Sequence, residues 1–110
     1  MARITAVIDI GSNSARMVIF CRTSRFGFHL LKEIKSKVRI PEGAYENGGN
    51  LQPFAMERAL NALSEFLSIA KSYKATKILC VATSAVRDAP NRSEFLSLVR
   101  KKLSLNIKVI

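Results

Sequence analysis

Asp9 lies within an apolar run that starts at residue 4, and Gly11, Ser12, Asn13 and Ser14 follow that run as a small polar turn. Gly11 tolerates positive φ and so permits a tight reversal, while the Ser, Asn and Ser side chains place short donors beside exposed backbone N–H groups. Such a turn can hold a phosphate. The Asp9 carboxylate cannot bind phosphate directly, but it can hold a hydrated Mg²⁺ beside one. The same residues also suit a β-hairpin whose Asp and Asn make only local hydrogen bonds, and a single glycine does not separate the two readings.

A second polar stretch, Thr83, Ser84, Ala85, Val86, Arg87, Asp88 and Ala89, leaves another apolar run at residues 78–82. Open α/β sheets place ligands at the C-terminal ends of their strands. If the two loops share a sheet edge, Ser and Thr hydroxyls, backbone N–H groups and the Arg87 guanidinium can surround one phosphate. Arginine suits this because its planar fork donates two parallel hydrogen bonds to phosphate oxygens. Arg87 can equally pair with Asp88 or Glu94 and steady the loop. His29, the single histidine, falls among polar positions and takes no role.

The elements that must position these residues follow from periodicity. Apolar residues on both parities of 4–10 and 17–20 read as strands covered on both faces, where a charge such as Asp9 needs a partner or a task. Residues 15–22 form a second strand, and Thr23, Ser24, Arg25 and Gly27 supply a reversal. A third strand runs from Phe26, with Phe28, Leu30, Ile34, Val38 and Ile40 on one parity and His29, Glu33, Lys35, Lys37 and Arg39 on the other. Its basic outer side suits a sheet edge. Residues 41–50 read as a mobile loop by composition and serve as a connection.

Pro53 opens a helix through Lys71, with Met56, Ala59, Leu60, Leu63, Phe66, Leu67 and Ala70 at helical spacing. Residues 78–82 make a short, fully apolar strand. Asn91 with Glu94 resembles a capping box before a helix whose core face is Phe95, Leu96, Leu98, Val99 and Leu103. Residues 105–110 form a last strand. The order is strand, strand, strand, helix, strand, helix, strand, in an α/β sheet.

At 110 residues the chain is one domain or part of one. Its net charge of +10 implies an anionic partner, whether nucleic acid, an acidic membrane surface or a phosphate-rich molecule, with a merely solvated basic surface as the alternative. Cys21 and Cys80 lie in apolar runs and read as reduced thiols, which fits a cytoplasmic protein. No secretory signal or membrane-spanning run is visible, so a soluble protein is expected. A last strand without its following loop points to the first part of a longer chain.

Together, Asp9 to Ser14 and the stretch Ala82, Thr83, Ser84, Ala85, Val86, Arg87, Asp88, Ala89, Pro90 and Asn91 resemble the exopolyphosphatase and guanosine pentaphosphate phosphohydrolase family. The resemblance covers essentially the whole chain. It implies a ribonuclease-H-like mixed sheet of the actin, sugar-kinase and heat-shock ATPase superfamily, with residues 1–110 as the N-terminal part of the first such domain. It also implies a Mg²⁺-dependent hydrolase acting on polyphosphate, guanosine pentaphosphate or both, and leaves room for a homodimeric parent protein. Carried over by position, Gly11, Ser12, Asn13 and Ser14 would cradle phosphate, Asp9 would help place the metal, and Thr83, Ser84 and Arg87 would bind the reacting or neighbouring phosphates. Arg16 is a weaker phosphate assignment, since its position varies across that family. The glutamate that activates water, and a second glycine-rich phosphate loop, would come from beyond Ile110. Two other readings compete: an ATP-dependent kinase or ATPase of the same superfamily, and a non-enzymatic basic domain binding nucleic acid. The second lacks zinc-ligand spacing and an RNA-binding aromatic signature.

Overall fold

Alternation along residues 14–22 sets an inner face of Ala15, Met17, Ile19 and Cys21, all buried, against an outer face of Ser14, Arg16, Val18, Phe20 and Arg22. The computed structural model describes residues 3–25 and 27–110. Strands β1 (Arg3–Ile10), β2 (Ser14–Arg22) and β3 (Phe28–Lys37) form an antiparallel meander. A 3-10 turn at Tyr45–Asn47 then leads to α1 (Pro53–Ser72), β4 (Lys77–Ala82), the one-turn helix α2 (Ser84–Arg87), α3 (Arg92–Leu103) and β5 (Lys108–Val109). The sheet order is β3-β2-β1-β4-β5, with β4 parallel to β1 and β5 parallel to β4. No helix among the described residues is long and apolar enough to cross a membrane.

The core joins the inner strand faces to Met56, Ala59, Ala62, Leu63, Phe66 and Ala70 of α1 and to Phe95 and Val99 of α3. Both long helices therefore cover one side of the sheet. The expectation of strands covered on both faces is corrected by this arrangement. Asp9 is exposed, Leu79 is 45% exposed, and Val7, Val18, Phe20 and Val81 are only half-buried on the other side. Asp9 thus pays little desolvation, because its face is open to water.

Further expectations change. A bulge between Ile19 and Phe20 pairs Ile19 with Lys32 and Phe20 with Leu30, which passes over Leu31 and reverses parity. Phe28 and Leu30 consequently lie on the open face, where the Phe28 ring meets Phe20 edge-on at 5.7 Å. Val38 and Ile40 are buried but follow the strand, and the expected start at Phe26 falls outside the described residues. β4 is not fully buried: β5 spans two residues and pairs only with Val81 and Ala82, so Ile78 and Leu79 lie on an uncovered edge. The stretch after β4, read as a loop, contains α2, in which Thr83 C=O accepts the Val86 and Arg87 N–H groups at 3.1 and 2.9 Å. The expected last strand at 105–110 shortens to β5.

A one-sided core makes a direct prediction for the 110-residue chain. Phe66→Ala should cost about 3–5 kcal/mol in denaturant unfolding, and Leu79→Ala less than about 1 kcal/mol. Equal losses would contradict a core confined to the helix side.

Candidate phosphate-binding site

Parallel register brings the two polar stretches together. Ile10 pairs with Ala82, and Thr83 N–H donates to Ile10 C=O at 3.3 Å, so the turn after β1 and the segment after β4 emerge side by side. Ser12 and Ser84 line one hollow of about 290 Å³, together with Pro41, Ala44, Gly49, Leu51, Ala85, Asp88 and Ala89. This places the two stretches on one site.

The turn itself is closed by Gly11 N–H donating to Ser14 C=O at 3.0 Å. Gly11 does not have positive φ, and the space around it is tight: a Cβ there would lie 3.1 Å from the Ser14 carbonyl oxygen, which would have to give by a few tenths of an ångström. On the other side, Ser12 C=O accepts from Ile40 N–H and Asn13 C=O accepts from Val38 and Arg39 N–H, each at 3.0 Å. In a trans peptide the C=O and the following N–H point opposite ways, so the Asn13 N–H is directed away from the Ile40 N–H. The Ser12 and Asn13 N–H groups donate to no acceptor among the described residues. Ser14 Oγ is buried and also without a hydrogen-bond partner there. A buried hydroxyl left without a partner is costly, and Ser14 is not among the residues that line this hollow.

Not every expected residue joins the hollow. Thr83 sits directly beside Ile10, but Arg87 is outside, its Nε donating to Asp88 Oδ1 at 3.2 Å and its Nη1 to Ile110 C=O at 3.1 Å. Arg16 lies on the open face opposite Asp9 in register and meets Glu33 at 3.8 Å. Asp9 makes no ion pair among the described residues. A hollow of about 570 Å³ lies elsewhere, between α1 and α3, lined by apolar residues together with Glu57, Asn61, Ser64, Glu94 and Lys102. Its two carboxylates outnumber its one cation, Lys102, which makes it a poor place for phosphate.

Three residues carry structural weight that sequence reading missed. Asn91 makes no side-chain cap on α3, so the capping-box expectation is corrected. Its Oδ1 instead accepts Leu51 N–H at 2.8 Å and its Nδ2 donates to Leu51 C=O at 3.0 Å, tying residues 41–52 to the second polar stretch. Arg58 donates to Val38 C=O at 2.7 Å, to Arg39 C=O at 3.0 Å and to Glu42 at 2.8 Å. The segment read as a mobile loop is therefore a tethered connection. Arg39, the third, has φ 42.

Residues 7–110 match the Ppx/GppA phosphatase family. The chain belongs to that family. Among its relatives, exopolyphosphatase 1 of Mycobacterium tuberculosis is 29% identical over 106 residues, covering 94% of this chain and 30% of that protein. Exopolyphosphatase 1 of Mycobacterium leprae is 30% identical over the same length. The solved Aquifex aeolicus family member superposes with a TM-score of 0.93 at 29% identity, covering 100% of this chain and 35% of that one. An exopolyphosphatase from Cytophaga hutchinsonii gives 0.90 at 28% identity, covering 98% and 34%. The chain spans about a third of the length of the relatives it matches. The mixed sheet with the actin-like and sugar-kinase-like fold expected from the sequence is the fold of this family.

Cys80 sits behind this site and is no nucleophile for it. Burial pushes its thiol from the ordinary 9.0 up to about 12, and the Asp9 carboxylate adds to the rise. An acid whose folded pKa is raised contributes stability that is fully present below pH 9.0 and lost as pH rises towards about 12. In the folded chain Cys80 should resist a thiol reagent at about pH 8 and react once the chain is denatured. Fast labelling of native Cys80 would contradict this burial.

Proposed function

We propose that this chain is the phosphate-positioning part of a phosphohydrolase, forming the N-terminal part of its first ribonuclease-H-like domain. The substrate is inorganic polyphosphate, guanosine pentaphosphate or both, and the reaction is in-line attack of water on a terminal phosphoryl group. The observation that carries this reading is the sharing of one hollow by Ser12 and Ser84. Gly11 closes the turn of the cradle, Ser12, Asn13 and Ser14 offer N–H and hydroxyl donors to the phosphoryl oxygens, and Thr83 and Ser84 meet them from the other side. Arg87 supplies charge from the rim, exchanging Asp88 for a phosphate oxygen.

Asp9 suits Mg²⁺ that arrives with the substrate. Magnesium is held by one or two carboxylates plus substrate phosphates and water, and Asp9 is an exposed carboxylate beside the turn. No group of three His, Cys, Asp or Glu among the described residues could cage an ion alone. When bound, the ion neutralises charge on the phosphoryl oxygens.

Aligned donors stabilise the charge that builds on the transferring group, and a base orients the water. The resemblance to the exopolyphosphatase family implies that this base is a glutamate from a segment beyond Ile110. Phosphate release from polyphosphate and from guanosine pentaphosphate tests the reading. The intact protein should turn over at least one of them, Ser12→Ala should slow it roughly a hundredfold, and residues 1–110 alone should bind without turnover. Undiminished turnover by Ser12→Ala would overturn the assignment of the turn.

A further inference from the structure

Arg39 follows β3 in the left-handed region, at φ 42, where a residue other than glycine is uncommon. Its backbone is fixed from three sides. Its N–H donates to Asn13 C=O, and its own C=O accepts Glu42 N–H and Arg58 Nη2, each at 3.0 Å. The next residue, Ile40, is held by Ser12 C=O. Arg39 is therefore stapled directly to the polar turn after β1.

Its side chain is exposed and, among the described residues, makes no hydrogen bond or ion pair. Arg39 walls a second hollow of about 290 Å³ with Ser12, Asn13, Pro41 and Glu42. Glu42 is the carboxylate on that wall, and Arg58 already holds it at 2.8 Å. An uncommitted guanidinium thus stands beside the turn, on a hollow that shares Ser12 with the one reaching Ser84. Strained backbone that is over-determined by its neighbours marks places where a side chain is held for a task.

We propose that Arg39 is a substrate-binding residue whose guanidinium takes the phosphate adjoining the one held at the turn. A run of linked phosphates then passes Ser12 from the Arg39 hollow to the Ser84 hollow. The ligand class is a condensed phosphate of two or more units, and a single orthophosphate engages the turn without reaching Arg39. This inference rests on the phosphate-binding reading of the turn.

The test is equilibrium binding of tripolyphosphate and of orthophosphate to the intact protein, comparing wild type, Arg39→Gly, Arg39→Lys and Ser12→Ala. Glycine is relaxed at this φ and keeps the backbone N–H and C=O, so Arg39→Gly should melt no lower than wild type. It should weaken tripolyphosphate about tenfold and leave orthophosphate unchanged, with Arg39→Lys in between because it keeps the charge without the fork. Wild-type tripolyphosphate affinity in Arg39→Gly, with weakened affinity in Ser12→Ala, would overturn the role of Arg39 and leave the turn standing. Wild-type affinity in both would overturn both. Equal loss for orthophosphate in Arg39→Gly would place Arg39 on the same phosphate and refute the adjoining position.

Discussion

Everything at the candidate site depends on the parallel pairing of β1 with β4, which ends with Ile10 beside Ala82. Because the strands run the same way, their C-terminal ends lie together and the polar stretches that follow them share an edge. An antiparallel β4 would carry Thr83 and Ser84 to the far end of the sheet. The 20-residue α1 makes the return, since a helix of that length spans about 30 Å and brings the chain back to the start of the sheet. Register matters as much as direction. A slip by one residue would turn Cys80 and Ala82 out of the core and put Val81 into it.

The polar turn is prepared by what stands behind it. Ser12 and Asn13 spend their carbonyls on residues 38–40, and Arg58 holds the same segment from the helix side. Hydrogen-bond acceptors are thus consumed inward, while N–H groups remain for an anion. Donors fixed before a ligand arrives need little reorganisation when charge develops on a phosphoryl group. Asn91 does the corresponding work for the second stretch by fastening it to Leu51.

Much of this was legible in the sequence because it is written in local patterns. The long helix, the antiparallel opening and the two polar turns at strand ends follow from periodicity and turn residues, and they fix which residues can meet. What was not legible depends on partners distant in the chain. The bulge at Leu31 reverses the faces of Phe28 and Leu30 through pairing with β2, which no alternation within β3 records. Asn91 and Glu94 have capping-box spacing, yet Leu51, 40 residues away, takes the Asn91 side chain. Gly11 reads as a residue for positive φ, whereas the structure gives it none and sets the Ser14 carbonyl close to where a Cβ would lie. Apolar residues on both strand parities suggested two covered faces, but only one side of the sheet has helices packed on it here.

The central claim is that the two polar stretches act as one phosphate site. Backbone amide chemical shifts of the isotope-labelled 110-residue chain, titrated with tripolyphosphate, test it most directly. Ser12, Asn13 and Ser14 should shift together with Thr83 and Ser84 along one binding isotherm, while the opposite strand ends near Arg3, Arg22 and Lys77 stay in place. Shifts in only one stretch, or the largest shifts at that opposite end, would contradict a shared site.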